Sequence, residues 1–311
     1  MKIIFFGTSN FALPALKALI DSGHEVALLV TQPDRKSGRN LAISPPPTKV
    51  FALSRGVTVY QPEDASGSES IERLKKVGPD IFVVVSFGQI LKREVLSIPK
   101  LYAVNLHGSL LPGYRGAAPT NRAVMNGDEI TGVTVIRMNE RMDEGDIMAE
   151  KEVGIGPEDT NITLSEKLSE AGAILLVDTL RLIEDGKAHF EKQDPEKATY
   201  APKLRKEEGL IRWDEPAAAI HNKVRGLIPW PGAYTHYGRK TLKILKTALS
   251  DASSDGVAPG EVIASGESTG IVVATGSGAI KITHLQVEGK KVLDSAAFLR
   301  GHRLSKGTRF E

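Results

Sequence analysis

The stretch Ala103-Val104-Asn105-Leu106-His107-Gly108-Ser109-Leu110-Leu111-Pro112 combines a strand pattern with two polar side chains at the end of the strand. The apolar residues before Asn105 are typical of a buried strand. Side chains two positions apart on a strand point to the same face, so Asn105 and His107 face the same way. Open α/β sheets bind ligands at the carboxyl ends of their strands. An amide beside an imidazole at that place indicates a site that stabilises a developing oxyanion.

The sequence on both sides of this stretch alternates short apolar runs with helical patterns over the first 190 residues. This alternation predicts an α/β fold with a doubly wound, mostly parallel Rossmann-like sheet. The predicted strands are Lys2–Phe6, Val26–Val30, Ile81–Ser86, Ala103–His107, Val133–Met138 and Ile147–Val153. The predicted helices are Phe11–Ser22, Ser68–Val77 and Thr120–Asn126.

A long helix is predicted after the last of these strands. Thr163 and Glu166 match a capping box at its start, and Asp185-Gly186 ends it. One apolar stripe is predicted to run along it, formed by Leu164, Leu168, Ala171, Leu175 and Leu182.

The last third of the chain changes to an all-β pattern. Residues 1–189 are therefore predicted to form one domain, residues 190–206 a polar linker, and residues 207–311 a smaller β domain, a small barrel. A helix is predicted at its start, over Ala217–Val224. Its predicted strands are Ala233–Tyr237, Leu242–Leu249, Gly260–Ala264, Gly270–Ala274 and Ala279–Val287.

Composition excludes several classes of protein and site. The chain has 311 residues and no cysteine, which rules out disulfides, thiolate metal sites and a cysteine nucleophile. No apolar run reaches the roughly 18 residues that span a membrane, and the N-terminus is typical of a first strand and not of a signal peptide. We therefore expect a cytoplasmic protein.

The charge distribution is compatible with a polyanionic partner, and the length of one loop favours a functional loop. Residues 205–311 carry 16 basic and 11 acidic residues, whereas the rest of the chain has an acidic excess of three. The Thr31–Thr48 connection is far longer than the usual ~4–6 residues and contains Arg35, Lys36 and Arg39. Ordinary variation in surface charge explains the first observation about as well, but a long loop at the ligand-binding end of a strand favours function.

The candidate site residues each have a structural alternative. A lone histidine such as His107 is more often a core residue bonded to a carbonyl group. The site interpretation is favoured because Gly108 permits close approach of another molecule and Arg115–Pro119 follows as a tight loop. In the acidic segment Met142–Asp146, both Asp143 and Asp146 are candidates to stabilise a cationic histidine.

Two further patterns bear on the ligand. Leu110 and Leu111 either pack beneath their loop or line a pocket for a flat aromatic ligand. Gly7-Thr8-Ser9-Asn10 lacks the second and third glycines of a dinucleotide fingerprint, which argues against an NAD-dependent dehydrogenase. A simple turn capped by Thr8, Ser9 or Asn10 is expected there, in preference to a site where backbone N–H groups bind an anion.

Three motifs together resemble the folate-dependent formyltransferases. They are Asn105–Pro112, the loop Arg115–Pro119 and Asp143–Asp146. The resemblance extends over essentially the whole chain, including Thr31–Arg35 and Arg225–Ala233. Length and the C-terminal β domain favour a member that acts on an aminoacyl-tRNA over the shorter glycinamide ribonucleotide enzymes.

The resemblance implies transfer of the formyl group of 10-formyltetrahydrofolate to the α-amino group of methionyl initiator tRNA, without a metal. It implies catalytic roles for Asn105, His107 and Asp143, and folate binding by Ser109, Leu110, Leu111 and Pro112. It also implies tRNA contacts by Arg35, Lys36 and Arg39, and an oligonucleotide-binding (OB-like) barrel at the C-terminus. The chain departs from the family pattern at Asn40, Leu41 and Gly113, where basic residues are usual.

Two alternatives remain open at this stage. A formyltransferase acting on another amine, such as a nucleotide amino sugar, would share the same catalytic motif. A non-catalytic RNA-binding protein would use the β domain, although that domain has few aromatic residues on its strands, such as Tyr234 and Tyr237.

Overall fold

The strand that carries Asn105 and His107 lies in a seven-stranded sheet. The structure is a computed structural model and describes residues 1–37, 42–238 and 240–311. The strands up to residue 201 are β1 (Lys2–Gly7), β2 (Glu25–Val30), β3 (Arg35–Ser37), β4 (Ala42–Ser44), β5 (Val59–Tyr60), β6 (Ile81–Val85), β7 (Ala103–His107), β8 (Arg115–Gly116), β9 (Ile130–Arg137), β10 (Asp146–Gly154) and β11 (Tyr200–Ala201). The helices of this part are α1 (Leu13–Asp21), α2 (Pro47–Ser54), α3 (Ser68–Val77), α4 (Arg93–Leu96), α5 (Pro119–Asn126) and α6 (Asn161–Glu184).

The sheet is doubly wound and mostly parallel, as predicted. Its order is β10-β9-β7-β6-β1-β2-β5. The five strands from β7 to β5 pair in parallel, while β9 pairs antiparallel with both β7 and β10. The central strands β1 and β6 are buried almost along their whole length, as expected for strands covered on both faces. The predicted bounds of β7 and α3 are confirmed.

The long helix α6 begins two residues before Thr163, so the predicted capping box of Thr163 and Glu166 is wrong. Thr160 and Thr163 form a reciprocal pair instead. The Thr160 N–H donates to Thr163 Oγ1 at 3.0 Å, and the Thr163 N–H donates to Thr160 Oγ1 at 3.3 Å. The correct hydroxyl thus lies three residues before the predicted one.

The apolar stripe predicted along α6 is correct only in its first half. Leu164 and Leu168 are buried, but Leu182 is 44% exposed and Ile183 is buried in its place. Near the middle of the helix, a Cβ at Gly172 would lie 2.7 Å from Leu106 Cδ2, so β7 packs closely there. This close approach, which the periodicity cannot show, helps to set the buried face.

The C-terminal part forms an antiparallel sheet with two helices. Its strands are β12 (Ala233–Tyr237), β13 (Lys240–Ser250), β14 (Val262–Gly266), β15 (Gly270–Ala274), β16 (Ala279–Val287) and β17 (Leu293–Asp294), and its helices are α7 (Ala217–Gly226) and α8 (Ser295–Gly301). The order is β12-β13-β16-β15-β14, with β17 on β16. The alternation of apolar and polar residues along β13 and β16 buries Ile244 and Ile282 in a core with Ile220 of α7 and Phe298 of α8.

Residues 308–311 make backbone hydrogen bonds at both edges of this antiparallel sheet. His236 in β12 exchanges two backbone hydrogen bonds with Glu311, and the Phe310 N–H donates to Gly260 O. The Val262 N–H at the start of β14 donates to Thr308 O. Residues 308–311 therefore make hydrogen bonds to both edge strands.

The contacts divide the chain into two compact units. The first contains residues 1–119, 130–154 and 165–202, and the second contains residues 120–129, 155–164 and 203–311. In the second unit, Asn121 donates to Gly226 O at 2.7 Å and Asn161 donates to Ile228 O at 3.1 Å. These bonds hold two short early segments against the C-terminal residues. The boundaries 1–189, 190–206 and 207–311 stay a prediction.

Candidate active site

Strand β7 presents Asn105 and His107 at its carboxyl end. His107 is buried, and its Nε2 lies 3.0 Å from Tyr114 O. Because a carbonyl oxygen can only accept, Nε2 carries the hydrogen of this bond. Asn105 is half-buried, and its carboxamide makes no hydrogen bond within residues 1–37, 42–238 and 240–311. A polar group left unpaired on a buried strand is available to a ligand.

Asp143 is the carboxylate beside the imidazole. Its Oδ1 lies 3.7 Å from His107 Nδ1, and its Oδ2 accepts from the Gly116 N–H at 2.8 Å. The other candidate, Asp146, pairs with Arg137 instead. The 3.7 Å separation is longer than a direct hydrogen bond.

The loop after β7 is folded back on itself and fixed to β9. Ser109 Oγ donates to Gly113 O at 2.6 Å. Thr134 Oγ1 donates to Ser109 O at 2.7 Å and accepts from the Leu111 N–H at 3.0 Å. Leu111 is buried, whereas Leu110 is half-buried. One leucine therefore packs into the protein and the other keeps part of its surface accessible beside the site.

Glu150 faces the same threonine from β10. Burial and the charge of Glu191 raise the pKa of Glu150, and a hydrogen bond from Thr134 opposes the rise. The distance from Thr134 Oγ1 to Glu150 Oε1 is 3.1 Å. A hydroxyl has only one proton, so Ser109 O and Glu150 Oε1 compete for it, and Thr134 opposes the rise in the pKa of Glu150 only while it does not donate to Ser109 O.

Gln193 joins the site although the sequence analysis assigned it to a linker. Its Nε2 donates to Asp143 O at 2.7 Å and to Gly145 O at 2.8 Å. Its Oε1 accepts from Arg115 Nε at 3.0 Å and from Arg115 Nη2 at 2.7 Å. Arg115 also lies 3.4 Å from Glu144. No local pattern marks this glutamine, because its partners are remote in sequence.

The side chains of the turn after β1 bind the neighbouring strand end, whereas the sequence predicts that they cap the following helix. Ser9 makes no capping hydrogen bond, and its Oγ donates to Ser86 Oγ at 2.8 Å. Thr8 Oγ1 donates to Phe87 O at 2.9 Å. The hydroxyl cap is therefore wrong, because these side chains connect the ends of the neighbouring strands β1 and β6.

The long connection predicted to be functional contains a short hairpin. Strands β3 and β4 pair antiparallel, with Arg35 opposite Ser44. Arg35 is exposed and donates from Nη2 to Gln32 Oε1 at 3.1 Å. Lys36 lies on β3. Arg39 lies outside the described residues, and so do Asn40 and Leu41.

Two observations limit what else the structure contains. In the described part of the chain, no group of three or more His, Cys, Asp or Glu side chains is placed to hold a metal ion. Among the same residues, no helix is both long and apolar enough to cross a membrane.

Comparisons with known proteins identify relatives for the entire chain. The family model described as "Formyl transferase" matches residues 1–180, and "Formyl transferase, C-terminal domain" matches residues 203–303. Two methionyl-tRNA formyltransferases are close relatives. The protein from Agathobacter rectalis is 45% identical over 310 residues, covering 100% of this chain and 99% of the relative. The protein from Moorella thermoacetica is 47% identical over 307 residues, covering 99% and 98%.

A solved structure supports the fold. HypX from Aquifex aeolicus, in complex with tetrahydrofolic acid, superimposes with a TM-score of 0.67 at 19% identity. The match covers 99% of this chain and 50% of that protein.

Proposed function

The chain belongs to the formyl transferase family, and from that premise we propose that it transfers the formyl group of 10-formyltetrahydrofolate to the α-amino group of methionyl initiator tRNA. The product, N-formylmethionyl-tRNA, serves translation initiation. Relatives named methionyl-tRNA formyltransferase match over the full length at 45% and 47% identity. The observation that carries the proposal is the placement of Asn105, His107 and Asp143 around one strand end in such a chain.

The reaction needs no nucleophile from the protein, because the methionyl amine attacks the formyl carbon. A C–N bond forms, and the formyl oxygen takes up negative charge. Asn105 donates from its unpaired carboxamide to this oxygen. His107 donates from Nδ1, since Nε2 is held by Tyr114 O. Preorganised donors aimed at developing charge are among the largest contributions to catalysis.

Asp143 has two roles in this mechanism. Its negative charge stabilises the cationic form of His107, and a water molecule on its carboxylate accepts the proton of the attacking amine. The tetrahedral adduct then collapses. The bond from the formyl carbon to the folate nitrogen breaks, that nitrogen receives a proton, and tetrahydrofolate leaves.

The loop Ser109–Pro112 is the proposed binding segment for the folate. The half-buried Leu110 offers apolar surface to a flat ring, and the backbone of the loop is fixed by Ser109 and Thr134. A rigid, partly apolar loop with few polar groups is typical of small-molecule sites.

The C-terminal domain is proposed to be an OB-like barrel that binds tRNA. Two observations support a barrel: the antiparallel order of the strands, and the hydrogen bonds of residues 308–311 to both edge strands. The basic excess of residues 205–311 suits a polyanion. Arg35, Lys36 and Arg39 are proposed as further tRNA contacts. The function in translation and the bacterial relatives support a cytoplasmic location.

Radiolabelled formyl transfer tests the proposal. The purified protein is incubated with labelled 10-formyltetrahydrofolate and, separately, methionyl initiator tRNA, methionyl elongator tRNA and a nucleotide amino sugar. We expect label on the initiator tRNA alone at catalytic rates. Turnover of the amino sugar without turnover of the tRNA would replace the proposal with the alternative that the sequence left open.

A further inference from the structure

We propose that Gln193, together with Arg115, is a positioning residue that holds Asp143 against His107. The inference rests on the proposed function, because it concerns the orientation of that site's carboxylate. It adds a residue from a segment that the sequence pattern treats as a linker.

The orientation of the Gln193 carboxamide is fixed by its partners. Its oxygen faces the Arg115 guanidinium, which has only donors, and its nitrogen faces two carbonyl oxygens, which only accept. All four contacts lie between 2.7 and 3.0 Å. Because one amide group bridges Asp143 O and Gly145 O, it fixes the backbone on both sides of Glu144.

Arg115 anchors this bridge to the loop after β7. Its side chain is only 5% exposed, so its charge requires partners inside the protein. Gln193 and Glu144 supply them. Residue 115 immediately precedes Gly116, whose N–H binds the Asp143 carboxylate. The same glutamine thus connects the two loops that surround Asp143.

The backbone at Asp143 needs such support. Its φ is +56°, in the left-handed region that residues with a side chain seldom adopt. Conformations of this kind persist only where the surroundings over-determine them. The bonds from Gln193 to Asp143 O and Gly145 O hold this conformation from outside the turn, together with the bond from the Gly116 N–H to the Asp143 carboxylate.

The segment that carries Gln193 is itself fixed at both ends. Glu191 exchanges two backbone hydrogen bonds with Ile147 on β10. Thr199 accepts from the Tyr114 N–H through Oγ1 at 2.8 Å and from the Arg115 N–H through its carbonyl at 2.8 Å. Gln193 therefore projects from a fixed backbone, which a positioning role requires.

Two substitutions of Gln193 separate its donor from its acceptor function. Gln193→Met removes both at nearly unchanged volume, while Gln193→Glu keeps the acceptor for Arg115 but places a carboxylate against two carbonyl oxygens. We expect both variants to lower kcat for formyl transfer roughly 10- to 100-fold, because small misplacements of catalytic groups have effects of this size. The KM values for folate and tRNA should change less than about threefold.

A double-mutant cycle with Asp143→Asn tests whether the Gln193 substitutions lower kcat through Asp143. If Gln193 acts through Asp143, the Gln193→Met change should cost less than about threefold in the Asp143→Asn background. Multiplying losses would overturn the inference, because the glutamine would then act independently of the carboxylate. Wild-type kcat within threefold in both single variants would overturn it as well.

Asp80→Asn is the matched control for a general loss of packing. Asp80 also bridges remote segments, since it accepts from the Lys2 N–H at 2.7 Å and from Lys100 Nζ at 2.7 Å, but it precedes β6 and lies at the amino ends of the parallel strands, whereas the site lies at their carboxyl ends. We expect this variant to lower the thermal unfolding midpoint without lowering kcat. If it lowers kcat as much as Gln193→Met does, the effect of Gln193 is merely structural.

A spectroscopic measurement keeps the inference testable without turnover. The ring ¹⁵N resonances of His107, assigned by comparison with His107→Asn, report the charge next to the imidazole. We expect them to move in Gln193→Met and to stay unchanged in Asp80→Asn. Unmoved resonances overturn the positioning role, whereas a wild-type protein that transfers no formyl group overturns the proposed function instead.

Discussion

At the scale of single residues, the carboxamide of Asn105, unpaired among the described residues, is the feature of the site that most directly indicates a role in binding. Most half-buried polar groups have partners inside the protein, because an unpaired one costs free energy. The Asn105 carboxamide makes no hydrogen bond among the residues that the structure describes, while His107 on the same face is held by Tyr114 O. An asparagine kept in this state is suited to bind charge that exists only during the reaction.

Replacing Asn105 should therefore affect the chemical step. We expect Asn105→Ala to lower kcat by roughly 10²–10³-fold, the usual loss for one donor to a developing oxyanion. Folate binding, followed by fluorescence titration, should remain within a few-fold of wild type. Asn161→Ala, which removes an asparagine that donates to Ile228 O, serves as a control and should keep its turnover. Near-normal turnover of Asn105→Ala would remove its catalytic assignment.

The charge of Asp143 can be tested separately from its shape. Asp143→Asn retains an oxygen that can accept from the Gly116 N–H, but it removes the negative charge 3.7 Å from His107 Nδ1. We expect a loss of at least about 100-fold in turnover while folate still binds. Single-turnover kinetics with saturating folate measure this loss. A variant with unchanged single-turnover rate would show that the carboxylate charge is dispensable.

The site residues named from the sequence stay a prediction, but the structure shows which of them lie together. Strand alternation places Asn105 and His107 on one face because the period of two is local. Spacing alone left Asp143 and Asp146 equivalent, and the structure separates them, because Asp143 lies 3.7 Å from His107 Nδ1 whereas Asp146 pairs with Arg137. Gln193 had no signal, since its partners Asp143 and Arg115 are 50 and 78 residues away.

Among the elements, the loop that carries Asp143 depends on a glycine for reasons of space. A Cβ at Gly145 would overlap the Arg137 carbonyl oxygen. In the sequence this glycine gives the acidic segment Met142–Asp146 freedom to turn inward. The structure shows that the loop packs so closely on β9 that no side chain fits.

We therefore expect Gly145→Ala to displace this loop. Turnover should fall roughly 10- to 100-fold, because Asp143 two residues earlier moves with it. The matched control is Gly154→Ala at the other end of β10, where an added Cβ has no neighbour within 4 Å among the described residues. Measuring kcat for formyl transfer in both variants tests this expectation. Equal turnover in the two would mean that the loop accommodates the extra methyl group elsewhere.

A second element, helix α7, contains a titratable group in the core of the second unit. His221 is buried and its Nδ1 lies 2.9 Å from Thr247 Oγ1. Burial, with the charge of Arg225, lowers the pKa of His221 below 6.5, against smaller opposing effects of Glu158 and Pro157. His221 therefore binds a proton less readily in the folded protein than in the unfolded chain.

The sign of the pH dependence follows from this shift. Above pH 6.5 His221 is neutral in both states and its contribution to stability is complete. As the pH falls below 6.5, the unfolded chain binds the proton first, so the free energy of unfolding decreases. We expect the thermal midpoint to fall between pH 7.5 and pH 5, and to fall less in His221→Asn. His284→Asn, at an exposed position, should keep the wild-type dependence. Identical pH profiles for wild type and His221→Asn would contradict this.

The sequence predicts the bounds of some helices and strands well and of others poorly. Helix α3 and strands β7, β12, β15 and β16 have the predicted bounds, because their patterns are long or end at clear turn residues. The predicted start of α6 is wrong because two threonines three residues apart both offer a capping hydroxyl, and the N–H of Thr163 binds the earlier one, Thr160 Oγ1.

For the whole molecule, alternation and composition predicted the two kinds of sheet, while the boundaries 1–189, 190–206 and 207–311 stay a prediction. Residues 120–129 and 155–164 belong by contacts to the second unit, although they precede the C-terminal part by many residues. The hydrogen bond from Asn121 to Gly226 O is one of the contacts that join such a segment to the C-terminal residues. A linear pattern cannot show that a unit is built from separate segments.

The distribution of charge over the molecule leads to a prediction about salt. If the Thr31–Thr48 connection meets the tRNA backbone through Arg39, then Arg39→Ala removes about one phosphate contact. The slope of log KM for tRNA against log salt should then become flatter by about 0.7–0.9, while the KM for folate stays unchanged. The matched control is Arg181→Ala, which removes an exposed arginine on α6 paired with Asp178 and changes the net charge equally. We expect it to keep the wild-type slope. A slope that flattens equally in both variants would assign the effect to the overall charge of the protein, and an unchanged slope in Arg39→Ala would remove this residue from the phosphate contacts.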